Sequence, residues 1–210
     1  MVKSKRMDKN LVLIFDFDGT IADTLTFVRK IFNFPEMKEV DWEGLKNKES
    51  REVFKILGIS MAELPFVLNK VRGIIHKEIE KIKPIQGMAE TLFKIKESSS
   101  QLGILTSAPK ETVERFLQVN NLNLFDFIYS ESNIFNKARK LSNLLKERNF
   151  DPQSVFYVGD ETRDVEAARK AGVKTIAVTW GFNGEDILKK QKPDYLARRP
   201  EELIALLDNF

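Results

Sequence analysis

The sequence predicts an α/β protein: a Rossmann-like parallel sheet with helices on both faces, interrupted after its first strand by a small helical insertion. Three observations predict it. Short, near-continuously apolar runs alternate with helical patterns along most of the chain, as strands buried on both faces of a parallel sheet do. Polar or turn residues bound each run at strand-like lengths. The connection from Ile21 to Gln101 spans about 80 residues, where a parallel crossover needs only about a dozen.

Taken in order, the first strand is the run Leu11 to Phe17. The insertion follows, with helical patterns over Thr24 to Phe34, Lys48 to Leu57 and Met61 to Ile82. The last of these carries the apolar stripe Leu64, Val67, Leu68, Val71, Ile75, Ile79 and Ile82 at helical spacing. Pro84 and Gly87 mark the return. Hinges are expected near Ile21 and Ile85, giving a core of residues 1–20 and 84–210 and a helical cap of 21–83. The second strand is Leu102 to Ser107, followed by a helix with Pro109 at its first position and Val113, Phe116 and Leu117 on its apolar face. Then come strand Phe127 to Ser130, helix Ala138 to Arg148 and strand Val155 to Gly159. A helix from about Arg163 to Ala171 is closed by Gly172, and strand Thr175 to Trp180 and helix Pro200 to Leu207 complete the pattern.

A chain of 210 residues with 42% hydrophobic and 31% charged residues, 10 Gly and 7 Pro is globular in composition. Disorder and collagen-like repeats are excluded. Lys plus Arg number 34 against 31 Asp plus Glu, a net +3, too balanced to demand nucleic acid or an anionic membrane as partner. With no Cys and one His, disulfide scaffolds, thiol nucleophiles, zinc fingers and multi-His metal centres cannot be built. A Ser-His-Asp triad would require His76, which lies beside the apolar stripe and reads as a surface or cap-helix residue. Catalysis must then rest on carboxylates, hydroxyls, Lys and Arg, with a hard, oxygen-loving cation. The basic stretch Met1 to Lys9 reads as a frayed lead-in, and the apolar run behind it is interrupted at Asp16, far short of a membrane span of about 20 residues. A cytoplasmic monomer or homodimer acting on a small molecule is expected.

The chemistry begins at Asp16-Phe17-Asp18-Gly19-Thr20, directly after the first strand. Residues two apart on a strand share a side, so Asp16 and Asp18 can face one crevice beyond the strand's carboxyl end, where open α/β sheets bind ligands. A calcium loop opens similarly, but here its sixth position is Ile21 and its twelfth Phe27, where Gly and Glu are needed. Complementary groups end other strands. Thr106-Ser107 place hydroxyls and backbone N–H groups before a helix, suited to phosphate oxygens. Gly159-Asp160-Glu161-Thr162-Arg163-Asp164 place two more carboxylates four apart at another strand end. Alone these acids would serve equally as helix caps; with Asp16 and Asp18 they read as one Mg²⁺ site.

In these residues the chain resembles the haloacid dehalogenase-like superfamily of Mg²⁺-dependent phosphohydrolases. The motifs occur in order over the whole chain: DFDGT at Asp16 to Thr20, LGILTS ending in Thr106-Ser107, a lysine in the region that follows, and VGDETRD at Val158 to Asp164. The resemblance implies that the first strand lies centrally, between the second and fourth. It implies that Asp16 attacks phosphorus to form an aspartyl-phosphate and that Asp18 serves as general acid, then base. It further implies Mg²⁺ on Asp16, the Asp18 carbonyl and Asp160, with Asp164 ligating it or orienting its waters. Gly19, Thr20, Thr106 and Ser107 are expected around the substrate. For the motif lysine, Lys137 fits best and Lys140 is the alternative, although Asn136 stands where a Gly commonly precedes that lysine.

The insertion resembles the helical cap of the phosphoglycolate phosphatase and phosphomutase branch. Lys46 to Glu52 resembles the cap loop that reads substrate, making Arg51 and Lys46 candidates. The implied activity is a phosphatase for a small phosphate ester, with phosphoglycolate leading and sugar phosphates or pyrophosphate following. Alternatives are a phosphomutase, which would want a cap His or Lys as acid–base partner, and a non-catalytic binding module, which would show a lost nucleophile or metal ligand. Asp18 argues against true dehalogenation, since dehalogenases lack that second aspartate.

Overall fold

The computed structural model describes residues 11–31, 41–98, 100–130 and 136–207. The lead-in at Met1 to Lys9 and the last turn of the helix expected to reach Phe34 lie outside them. Among the described residues six parallel strands form one sheet in the order β3-β2-β1-β4-β5-β6. They are β1 Val12–Phe15, β2 Gln101–Thr106, β3 Phe127–Ser130, β4 Val155–Gly159, β5 Lys174–Val178 and β6 Tyr195–Ala197. The first strand is therefore central, pairing Leu13 with Leu102 on one side and with Phe156 on the other.

Alternation along these strands separates two cores. Leu13 and Phe15 of β1, Leu102 and Ile104 of β2 and Phe156 and Val158 of β4 bury on one face. Val12, Ile14, Leu105, Val155 and Tyr157 bury on the other. Both faces are covered by helices, which is why the strands read as unbroken apolar runs.

The helices are α1 Thr24–Ile31, α2 Trp42–Lys46, α3 Ser50–Ile56, α4 Leu64–Glu78, α5 Met88–Glu97, α6 Lys110–Val119, α7 Lys137–Arg148, α8 Thr162–Ala171, α9 Glu185–Lys190 and α10 Glu202–Leu207. The expected strand Leu11 to Phe17 ends earlier, at Phe15, because the chain turns out of the ladder after Asp16, with the Ile21 and Ala22 N–H groups closing the turn on the Phe17 carbonyl. Pro109 stands outside α6 rather than in its first turn: its ψ of 141° is extended. The elements not foreseen are α2, α5, α9 and β6. The three-residue β6 pairs only with β5 at the sheet edge, too short for a period-2 pattern to register.

Helices α1 to α4 all fall between β1 and β2. The chain leaves and returns through adjacent segments, with Ala22 bridging Pro84 antiparallel and Ile85 N–H donating to the Ile21 carbonyl at 2.8 Å. Within the insertion the Arg29 guanidinium lies 5.1 Å from the Trp42 ring centroid, joining α1 to α2. The apolar stripe of α4 and the turn after it bury Ile75, Ile79 and Ile82 in the same core as Phe17 and Ile21. The His76 ring bonds the Thr112 hydroxyl on α6 through Nδ1 at 2.7 Å, a contact between the insertion and the core, and His76 is not among the residues that line the crevice.

Candidate active site

The site forms where β1, β2 and β4 end side by side. Asp16 follows β1 directly, its N–H donating to the Val158 carbonyl at 2.8 Å, so the ladder holds its backbone while its side chain leaves the sheet. Phe17 turns the opposite way, fully buried and edge-on to Phe116 at 5.1 Å between centroids. That anchoring allows Asp16 and Asp18 to reach one crevice. Gly19 adopts φ +76° and lies so close that a Cβ there would stand 2.5 Å from Asp160 Oδ2, which excludes any side chain.

Three carboxylates converge. One oxygen each of Asp16, Asp160 and Asp164 lies within 4.8 Å of the others, and all three residues are buried. Asp160 accepts from the Thr20 hydroxyl at 2.6 Å and from the Phe182 N–H at 2.7 Å. Asp164 accepts from the Glu161 N–H at 2.9 Å in a reciprocal capping box at the start of α8. Lys137, the first residue of α7, donates to Asp16 Oδ2 at 2.6 Å and to Asp164.

Burial, then Glu161, Asp164 and Asp16, push the Asp160 carboxyl well above the usual carboxylate range. Burial also pushes Asp164 up to about 6, against the opposing ammonium of Lys137. Burial alone would pull Lys137 down, but Asp16 and Asp164 outweigh it and hold it well above its ordinary value. One ammonium among three buried carboxylates leaves negative charge uncompensated. A divalent cation with oxygen ligands is what such a cluster fits.

Asp18 stands apart from that trio. Its Oδ1 is buried without a hydrogen-bond partner, and burial followed by the Asp16 charge raises its carboxyl to about 6. Its carboxylate is not among the clustered acids.

The crevice is lined by Asp16, Asp18, Leu105, Thr106, Ser107, Lys137, Lys140, Glu161 and Arg163. Thr106 Oγ1 accepts from the Ala108 N–H at 3.0 Å, leaving its own proton to donate. Both lysines named from the sequence reach the crevice, and Lys137 pairs with Asp16. Thr20, expected at the substrate, is fully buried instead, its hydroxyl on Asp160 and its carbonyl on Trp180 Nε1 at 3.1 Å. The structure does not bring the side chains of Arg51 and Lys46 to the crevice: Arg51 is exposed on α3, and Lys46 pairs with Glu43 at 3.3 Å.

Arg163, Arg72 and Asn183 escaped the sequence reading. Arg163 lay inside the motif quoted for its aspartates. Arg72, on α4, is placed so that its charge acts on Asp18 and Arg163. Asn183 sits in a Gly-Phe-Asn-Gly stretch that reads only as a turn.

A family model described as haloacid dehalogenase-like hydrolase matches residues 13–178. The chain belongs to that family. It is 36% identical to a phosphoglycolate phosphatase of Synechococcus elongatus, over 91% of this chain and 94% of the relative. It is 26% identical to the pyrophosphatase PpaX of Bacillus cereus, over 94% of this chain and 96% of the relative. Among solved structures, a haloacid dehalogenase-like family hydrolase of Streptococcus pneumoniae superposes with a TM-score of 0.74 at 23% identity, covering 96% of this chain and all of that one. The chain is thus a haloacid dehalogenase-like hydrolase in sequence and in fold. Among the described residues no helix is long and apolar enough to cross a membrane.

Proposed function

We propose that the protein is a Mg²⁺-dependent phosphatase that hydrolyses a small phosphorylated metabolite, phosphoglycolate-like or a sugar phosphate, through a phosphoaspartate at Asp16. The observation that carries this reading is the setting of Asp16: bonded to Lys137 at 2.6 Å, grouped with Asp160 and Asp164, and beside an Asp18 oxygen that is buried and unpartnered.

In the first step an Asp16 oxygen bonds to phosphorus and the bond from phosphorus to the leaving oxygen breaks. Asp18, raised to about 6, gives its proton to that oxygen. It then accepts a proton from the water that attacks phosphorus, releasing inorganic phosphate and restoring Asp16. General acid–base help of this kind is worth roughly 10² to 10⁴ in rate. Asp16, Asp160 and the Asp18 carbonyl would hold Mg²⁺, with Asp164 ligating it or orienting its waters, and the bound ion would supply the positive charge that lets an anionic carboxylate approach an anionic phosphate. Lys137 and the Thr106 hydroxyl hold the phosphoryl oxygens. Residues 21–83 act as a cap that excludes water and meets the leaving group.

Phosphoglycolate and pyrophosphate, the compounds named for the two relatives, each carry a second anionic group beside the scissile phosphate. Arg163 in the crevice wall, with the Arg72 charge acting on Asp18 and Arg163, favours such substrates over sugar phosphates, whose leaving groups are uncharged.

The test is phosphate release from phosphoglycolate, pyrophosphate, hexose phosphates and nucleotides, with and without Mg²⁺, using Asp16→Asn as the blank. Mg²⁺-dependent release absent from the variant is expected. Equal rates from folded Asp16→Asn would remove Asp16 as nucleophile, and silence on every compound would overturn the phosphatase reading.

A further inference from the structure

The loop after β5 carries a fully buried asparagine, Asn183, whose contacts reach three parts of the molecule. Its Oδ1 accepts from the Thr162 N–H at 2.9 Å, one of the first-turn donors of α8 that has no partner within the helix. Its Nδ2 donates to the Lys46 and Lys48 carbonyls at 3.3 and 3.2 Å, at and just beyond the C-terminus of α2. Its backbone N–H donates to the Asp160 carbonyl at 3.1 Å. The neighbours reinforce the pattern: Phe182 N–H reaches the Asp160 carboxylate at 2.7 Å, and Gly184 N–H reaches the Lys46 carbonyl at 2.8 Å. The orientation of the amide follows from chemistry, since an N–H must meet the oxygen and carbonyls must meet the NH₂.

We infer that Asn183 is a positioning residue that straps the inserted helices to the core, so that the same loop that holds Asp160 also sets how closely the α2–α3 segment stands against the core. The inference rests on the reading of residues 21–83 as a cap. Withdrawal of residues 46–48 must break three hydrogen bonds at this one point, two to the Asn183 amide and one to Gly184. The approach is close: a Cβ on Gly184 would stand 2.8 Å from Asn47 Oδ1. The strap is bonded directly to Asp160, through Phe182 N–H to its carboxylate and Asn183 N–H to its carbonyl, so cap position and cation binding are coupled, and that coupling is reciprocal.

Two substitutions separate this role from ordinary stability. Asn183→Asp keeps an acceptor for the Thr162 N–H at a helix N-terminus that favours negative charge, but offers no donor to the Lys46 and Lys48 carbonyls. Gly184→Ala leaves Asn183 in place and wedges the segment outward, at a φ of −81° that alanine adopts freely. Hydrogen–deuterium exchange on the full chain, alone and with Mg²⁺ plus inorganic phosphate, reads the strap directly and needs no turnover. Both variants are expected to raise exchange in residues 41–57 about tenfold, the equivalent of losing hydrogen bonds of modest net worth, while residues 155–171 keep wild-type protection. The apparent Mg²⁺ dissociation constant, measured calorimetrically, should rise with it. Unchanged exchange in 41–57 in either folded variant, or a uniform rise along the whole chain, would overturn the inference. A silent substrate panel with the expected exchange pattern would instead strike only the phosphatase reading.

Discussion

Lys137 Nζ lies 2.6 Å from Asp16 Oδ2 across 121 residues of chain, with the same ammonium bonded to Asp164. The pairing makes α7 a part of the site, since the helix begins at Lys137 and its buried Leu141, Leu144 and Leu145 fix it against the sheet. Lys137→Met should lower kcat by about 10² to 10³, the usual cost of one charge-stabilising donor, while Thr106→Ala should cost less. Steady-state kinetics with Mg²⁺ saturating check this; a Lys137→Met enzyme within a few-fold of wild type would place that ammonium outside the chemistry.

Crowding of Asp16, Asp160 and Asp164 predicts how stability responds to metal. Mg²⁺ at about 100 times its dissociation constant should stabilise the wild type by roughly 2.7 kcal/mol, several degrees in Tm for a chain of this size. Asp160→Asn keeps an acceptor for the Phe182 N–H and a partner for the Thr20 hydroxyl but removes one of the crowded acids. Its Tm without Mg²⁺ should match or exceed that of the wild type, and its Mg²⁺ shift should vanish in thermal denaturation. A full shift in the variant would take Asp160 out of the cation site.

Specificity should be divisible from turnover. Arg163→Gln is expected to raise KM for phosphoglycolate and pyrophosphate roughly tenfold, as for loss of one charge-assisted contact, while leaving KM for p-nitrophenyl phosphate nearly unchanged. Equal effects on all three compounds would assign Arg163 to positioning Glu161 and α8 rather than to the substrate.

Away from the site, Asp126 predicts a pH effect on stability. Burial would raise its carboxyl, but Lys96, donating to both oxygens at 2.7 Å, and the Leu102 N–H at 2.7 Å hold it below the ordinary carboxylate range. A group lowered in the folded state stabilises above its unfolded value, near 3.9, and loses that contribution as pH falls through the folded value. The stability advantage of wild type over Asp126→Asn should therefore be constant near pH 7 and shrink below about pH 4. Urea midpoints across that range measure it, and a gap that widens toward acid would refute the assignment.

Much of the fold was legible because the sheet is parallel and covered on both faces. Runs such as Val155 to Gly159 and Phe127 to Ser130 are apolar enough, and bounded sharply enough, to be read to the residue. The short pieces were not legible: the five residues of α2 and the three of β6 contain fewer than two periods of the helical and the strand pattern respectively, too few for a repeat to show. At the site, Asp16, Asp18, Asp160 and Asp164 stood out because each follows or closes a strand run in a chain with one His and no Cys. Arg51 and Lys46 are candidates through the resemblance of the stretch Lys46 to Glu52 to a substrate-reading cap loop, yet their side chains stand outside the crevice, and it is the Lys46 backbone carbonyl that reaches the core, through Asn183 and Gly184.

By itself the sequence determined the class of fold, the long interruption after the first strand, and the carboxylate, hydroxyl and ammonium groups from which chemistry had to be built. These depend on local periodicity and residue type, which a linear chain displays directly. Only the tertiary structure decided that Lys137 meets Asp16, that Thr20 supports Asp160 from within the core, that Asp18 keeps an oxygen buried without a partner, and that one asparagine amide joins the insertion to α8. Each of those turns on the distance between groups brought together from different strand ends and helix termini, and packing sets that distance, whatever their spacing along the chain.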